Sequence, residues 1–261
     1  MRAFFPVLAL ALVALSPVAA DAQSDYHHMH FSAPDAKEAA AWYMEHMGCE
    51  DFGREGACQI GSTQMIWFGD RDDPAPSVGT GVDHIGFSFP DLDAKVAEWQ
   101  AAGLDFDNPD QPIREIDGLF KLTFLTDPWG TRIEAVEDAE WPDFHHIHLA
   151  SADPEAAIDW YEQIFGGERD SLKGMIPGLR YGGVWLLARQ ADAPTGTQGT
   201  AIDHLGFAFP NLEAAAADIR GHGVQFTMEP RPYTNPLGQE MQISFVMGPD
   251  DVFIEIVQPG N

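Results

Sequence analysis

Three short runs place metal-capable side chains in this sequence, and each run occurs twice. His27-His28-Met29-His30 recurs as His145-His146-Ile147-His148, Asp83-His84-Ile85-Gly86-Phe87 as Asp203-His204-Leu205-Gly206-Phe207, and Ile133-Glu134 as Ile254-Glu255. Two imidazoles and one carboxylate make the ligand set of a facial triad, which grips a divalent first-row metal on one side and leaves positions open for substrate or water. Side chains alternate across a strand, so His204 lies opposite Leu205, Phe207 and Phe209, and Glu255 opposite Ile254 and Ile256. A carboxylate in such an apolar strand is costly to bury without a partner. A single histidine here is more often a hydrogen-bonded core residue than a ligand, but all three groups in both copies favour a metal. Taken half by half, the candidate ligands are His28, His84 and Glu134, then His146, His204 and Glu255. His30 and His148 share the face of the proposed ligands and are candidates for acid/base or supporting roles. His27 and His145 fall on the opposite face and read as structural, and His46 and His222 as helix-surface residues.

The elements that must position these groups repeat with them. Trp42-Tyr43 returns as Trp160-Tyr161, Gly48 as Gly166 and Trp67 as Trp185, so the chain is one unit written twice. Within each half the pattern is strand, helix, strands, and then the same again. Helices are predicted over 35–47, 91–102, 153–165 and 211–222, with Pro154 where a first turn tolerates it and Gly103 and Gly223 as terminators. The expected division is a first domain over 26–137, a linker over 138–143 and a second domain over 144–259.

Ahead of the first unit, residues 1–22 carry Arg2, an apolar run over 7–15, Pro17 and then Ala20-Asp21-Ala22, the pattern of a secretory signal. The run is too short for a comfortable membrane span, so the mature chain is expected in the periplasm or secreted, free of the membrane. In that setting Cys49 and Cys58 could close a short disulfide loop or remain two buried thiols. Neither has a counterpart in the second half, which points to local bracing. The charge balance, 14 Lys+Arg against 41 Asp+Glu, argues against nucleic acid and anionic lipid as partners.

At these residues the chain resembles the vicinal oxygen chelate superfamily, which includes glyoxalase I, the extradiol ring-cleavage dioxygenases, and the fosfomycin and bleomycin resistance proteins. The resemblance runs from Tyr26 to Gln258. It is carried by His28 and His146 with Asp35 and Asp153 ahead of the Trp-Tyr helices, by the runs around His84 and His204, and by Asp127-Pro128-Trp129-Gly130-Thr131-Arg132-Ile133-Glu134. It implies an α+β fold in which tandem paired βαβββ modules form two half-open β cups, each with a metal on its floor that chelates two neighbouring substrate oxygens. Carried over by position, the ligands are His28, His84 and Glu134 in one half and His146, His204 and Glu255 in the other. Glyoxalase-like members add an acidic ligand from a first-module strand, but Gln64-Met65-Ile66-Trp67-Phe68 and Gly183-Val184-Trp185-Leu186 contain no acid. Ring-cleaving members place a tyrosine before the closing glutamate, where this chain has Ile243-Ser244-Phe245-Val246. Tyr233, Arg231 and Lys121 are the nearest candidates for substrate contacts.

The resulting expectation is an exported metal-dependent enzyme that binds a small oxygen-rich molecule at an Fe(II), Mn(II) or Zn(II) centre. The reaction would be ring cleavage, with His148 or His30 as proton shuttle, or a lyase or isomerase reaction. The alternative is a metal-free binding or resistance protein. Either could be a monomer or a homodimer.

Overall fold

Each helix starts where a short polar side chain can take up an unpaired backbone N–H. Asp35 accepts from Lys37 and Glu38 at the head of α1 (Ala36–His46), and Asp91 from Ala94 at α2 (Leu92–Ala102). Asp153 accepts from Ala156 at α3 (Pro154–Phe165), and Asn211 from Ala214 at α4 (Leu212–Gly221). Gly103 closes α2 in the left-handed conformation, φ 78°. All four helices fall where the sequence places them. The computed structural model describes residues 24–69 and 71–260, so the predicted targeting segment lies outside the described residues.

The strands group into four modules. The first contains β1 (Asp25–Ser32), β2 (Ala57–Ile60) and β3 (Thr63–Phe68) around α1. The second contains β4 (Val82–Ser88), two short strands β5 (Asp105–Phe106) and β6 (Arg114–Glu115), then β7 (Lys121–Thr126) and β8 (Arg132–Val136). The third runs through β9 (Asp143–Ser151), β10 (Glu168–Leu172), β11 (Ile176–Tyr181) and β12 (Val184–Gln190). The fourth has β13 (Ile202–Ala208), β14 (Phe226–Thr234), β15 (Glu240–Met247) and β16 (Phe253–Gln258).

These modules build two open sheets, and neither sheet belongs to one half of the chain. The seven-stranded sheet has the order β14-β15-β16-β13-β1-β3-β2, joining the first module to the fourth. The nine-stranded sheet runs β10-β11-β12-β9-β4-β8-β7-β5, with β6 paired to β7 off this path, and joins the third module to the second. The central seams are antiparallel: β1 against β13, with His30 opposite His204, and β4 against β9, with His84 opposite His148. The segments that cross between sheets pair with each other, through bridges Ala75 to Thr200 and Thr80 to Thr195.

This corrects the expectation that residues 26–137 and 144–259 each form a cup of their own. The equivalent strands β4 and β13 present the same residue types at the seam, so either could accept β1. The crossing segments send each half's second module to the other half's first. One apolar core consequently runs through both halves. At its centre Tyr26 stacks on Phe144 with ring centroids 6.1 Å apart, and Phe87 meets Phe144 edge-on at 5.5 Å. Cys49 and Cys58 are joined, with Cα atoms 5.7 Å apart, which closes the loop between α1 and β2. Among the described residues no helix is long and apolar enough to cross a membrane.

Candidate metal centres

The exchange of modules decides which side chains meet. On the floor of the first sheet, His28 and His30 from β1 converge with His204 from β13 and Glu255 from β16. On the second, His84 from β4 and Glu134 from β8 converge with His146 and His148 from β9. Within each group one donor atom from every residue lies within 4.8 Å of the others. The half-by-half grouping is therefore corrected: His28 meets Glu255 and His204, and His146 meets Glu134 and His84.

Glycine makes the close approach possible. Gly206 sits between His28 and Glu255 in strand register, and Gly86 between His146 and Glu134. A Cβ on Gly206 would come within 2.1 Å of the His28 ring, and one on Gly86 within 2.1 Å of the His146 ring. The imidazole lies over bare backbone, and any larger residue would push it off the floor. The sequence signal was present in the His-x-Gly spacing, but strand alternation alone reads those glycines only as a small face.

The hydrogen bonds fix how each ring is presented. His204 Nδ1 lies 2.6 Å from Asp203 Oδ1, and His84 Nδ1 lies 2.7 Å from Asp83 Oδ1, so in both rings Nδ1–H donates to a carboxylate and Nε2 faces inward. In the first cluster, His28 Nε2 and His204 Nε2 stand 3.0 and 3.1 Å from the same oxygen, Glu255 Oε2. In the second, His84 Nε2 and His146 Nε2 are both 3.1 Å from Glu134 Oε2. The His146 nitrogen is off the hydrogen-bonding line and has no hydrogen-bond partner, and His30 Nδ1 is likewise buried and unpartnered. Nitrogen lone pairs aimed at a buried carboxylate oxygen repel unless a cation lies between them. A proton can supply that charge, and hydrogen bonds to the carboxylates accordingly raise the His84 and His204 pKa against the opposing effect of burial. A divalent metal supplies it to several nitrogens at once, so the donor set fits one.

His27 and His145 correct a second expectation, since each supports a candidate ligand. His27 Nδ1 lies 2.9 Å from His28 Nδ1, and His145 Nδ1 lies 2.8 Å from His146 Nδ1. His145 Nε2 in turn reaches Asp138 Oδ2 at 3.4 Å, and Lys173 binds the other Asp138 oxygen at 2.8 Å. Burial moves His27 and His146 down to about 4, and pushes His30 and His148 well below the ordinary histidine range. These rings are neutral at pH 7 and offer lone pairs. His46 is also not a surface residue: it is buried with its ring 4.9 Å from Trp42.

Above each cluster lies a cavity, about 800 Å³ over Glu255 and about 400 Å³ over Glu134. Tyr233 and Arg231 line the first, but Lys121 lines neither and instead pairs with Asp93 at 2.6 Å. Phe245 faces Glu255 across the β15–β16 ladder and Phe124 faces Glu134 across β7–β8, each ring about 5 Å from a cluster histidine.

Residues 143–256 match the family model described as the Glyoxalase/Bleomycin resistance protein/Dioxygenase superfamily. Solved structures extend the likeness to nearly the whole chain. Glyoxalase I from Zea mays superposes with a TM-score of 0.69 at 17% identity, covering 90% of this chain and 92% of that one. A proposed dioxygenase from Bacillus subtilis subsp. subtilis strain 168 gives 0.62 at 16% identity, covering 90% and 86%. No curated protein sequence matches the chain. The second half thus matches this superfamily's model by sequence, and the chain as a whole shares the fold of those two structures.

Proposed function

We propose that the chain is an exported metal-dependent enzyme of this superfamily that holds a divalent ion at each of its two histidine–glutamate clusters and binds a small oxygen-rich molecule there. The observation that carries this reading is the convergence of histidine Nε2 atoms on one buried carboxylate oxygen at the floor of a cavity, formed twice. His28, His204 and Glu255 would hold one divalent ion and His146, His84 and Glu134 the other, with Fe(II), Mn(II) or Zn(II) suited to the ligand type. The bound metal would supply Lewis acidity, easing charge development on substrate oxygens. Around it, Asp203 and Asp83 keep the imidazole tautomer that presents Nε2. His30 and His148, neutral and at the same floor, are placed to take a proton from a bound substrate, and Tyr233 is placed to contact substrate at the wall of the larger cavity. Phe245, on the strand before the closing glutamate where ring-cleaving relatives carry a tyrosine, weighs against ring cleavage, and the lack of an acid on β3 and β12 weighs equally against a glyoxalase-type ligand set. The Cys49–Cys58 bond supports export, because such bonds persist in oxidising compartments.

Metal analysis tests the reading. Protein purified from its native compartment is expected to hold two divalent ions per chain, Glu255→Ala and Glu134→Ala one each, and the double variant none. A wild-type protein that takes up no metal, and whose melting temperature added Fe(II), Mn(II) or Zn(II) leaves unmoved, would instead make it a metal-free binding protein.

A further inference from the structure

The two cavities differ in what their cations are doing. Beside the smaller one, Arg189 and Arg132 both bind the fully buried Asp83, at 2.6 and 3.4 Å, and Arg132 also reaches Asp107 at 2.5 Å. The charge of these two is already neutralised, and the third arginine there, Arg114, is exposed to water and lies over the Phe124 ring, 5.6 Å from its centroid. Arg54 and Arg231 line the larger cavity, and among the described residues neither has an ion-pair partner. Acids are abundant in this chain, 41 Asp+Glu against 14 Lys+Arg, so their isolation does not come from a shortage of carboxylates. Arg54 is half-buried, and burial lowers its pKa, opposed by Tyr233 and Glu255. A cation withdrawn from water without a partner is costly unless something that binds there completes it.

The chain also braces this arginine. Arg54 lies in the loop closed by the Cys49–Cys58 disulfide, and Glu50 and Gln59 exchange two backbone hydrogen bonds across the loop base, at 2.7 and 2.8 Å. The second half has no cysteine, and its equivalent segment is the β10–β11 hairpin. The bracing occurs only where a half-buried, unpaired arginine faces a cavity.

We propose that the Glu255 site takes an anionic, oxygen-rich small molecule whose carboxylate or phosphate group is held by Arg54 and Arg231, and that the disulfide holds Arg54 in place for this contact. A guanidinium matches either oxyanion through paired N–H donors. The proposal rests on the reading of this cluster as a substrate site, and its test separates the two. Binding of catechol and of 3,4-dihydroxybenzoate, which differ by one carboxylate, is measured by calorimetry on the full chain, both metal-loaded and metal-stripped, with inorganic phosphate as competitor. The carboxylated probe should bind about tenfold or more tightly in both states, the range expected for a charge-assisted hydrogen bond. Arg54→Ala and Arg231→Ala should each remove most of that preference while metal content stays at the wild-type value. The double variant Cys49→Ala/Cys58→Ala, checked for native circular dichroism, should reduce it as well. Displacement by phosphate at lower concentration than by chloride would mark phosphate esters as the better ligands, and no displacement would mark carboxylates. Equal binding of the two probes, or a preference that survives both arginine variants, overturns the proposal even if metal is bound. A preference that persists in a chain unable to bind metal leaves it standing and overturns the metal reading alone.

Discussion

At the scale of single residues, the duplicated sequence provides its own controls. Tyr43 donates a hydrogen bond to Asp127 Oδ2 at 2.8 Å, while the Asp127 Oδ1 accepts from the backbone of Trp129 and Thr131. The second copy has Gly248 where the first has Asp127, and there the Tyr161 hydroxyl is buried without a partner. Tyr43→Phe is therefore expected to cost about 1 kcal/mol or more, since it removes a hydrogen bond to a buried carboxyl. Tyr161→Phe should be neutral or slightly stabilising, and paired urea denaturation curves would show the contrast. Asp127 also titrates in a useful range, because burial pushes its pKa up to about 6. An acid whose pKa is higher in the folded state contributes stability that is complete below its unfolded pKa and is lost as pH rises through 6. The change is on the order of 3 kcal/mol. Asp127→Asn keeps the Oδ1 contacts and lets Nδ2 donate to Tyr43, so it should remove this decline. The urea midpoint of wild type minus variant, followed from pH 4 to 7, checks the sign, and a difference that does not fall with pH would refute it.

At the scale of elements, the functional floor depends on strand seams as much as on ligands. β13 contributes His204 and then gives up a side chain at Gly206 so that the His28 imidazole of β1 can lie across it; β4 does the same with His84 and Gly86 for His146 of β9. Gly206→Ala should force the His28 ring aside and abolish metal uptake at the first site alone, leaving one ion per chain. Gly86→Ala should give the mirror result at the second site. Overpacking of this kind costs about 1–3 kcal/mol, so both variants are expected to stay folded, with metal stoichiometry and circular dichroism as the paired readouts. Helix bounds, caps and the shared face on which the six candidate ligands converge were legible in the sequence because each depends on local chemistry: an Asp or Asn before a helix, an imidazole or carboxylate on an alternating strand. The supporting roles of His27 and His145 were not legible. Alternation assigns a side chain to a face, but in each pair adjacent ring nitrogens lie within 3 Å of each other.

At the scale of the whole molecule, the repeat reveals two copies without revealing how they pair. β4 and β13 share Asp-His, Gly and Phe at matching positions and otherwise exchange Val for Ile, Ile for Leu and Ser for Ala, so the seam residues suit a cup per half and an exchanged arrangement alike. The exchanged arrangement makes both sites joint products of the two halves, and this has a consequence for dissection. Separated at the linker, the first half supplies His28, His84 and Glu134 but no complementary strand seams, and the second half supplies His146, His204 and Glu255 in the same position. Co-expressed halves should reassemble through the shared Tyr26–Phe144–Phe87 core and bind two ions per pair. Either half as a monomer should bind none. The second half, which alone matches the family model, could recover a site only by pairing β9 of one copy with β13 of another, bringing His146 to His204 and Glu255 across a two-fold axis. Light scattering with metal analysis on residues 141–260 should therefore show metal in a dimer fraction and none in monomer. Metal bound by a monomeric second half would mean that β9 can pair with β13 of its own chain, and that the exchange seen in the intact protein is a choice rather than a requirement of the module fold.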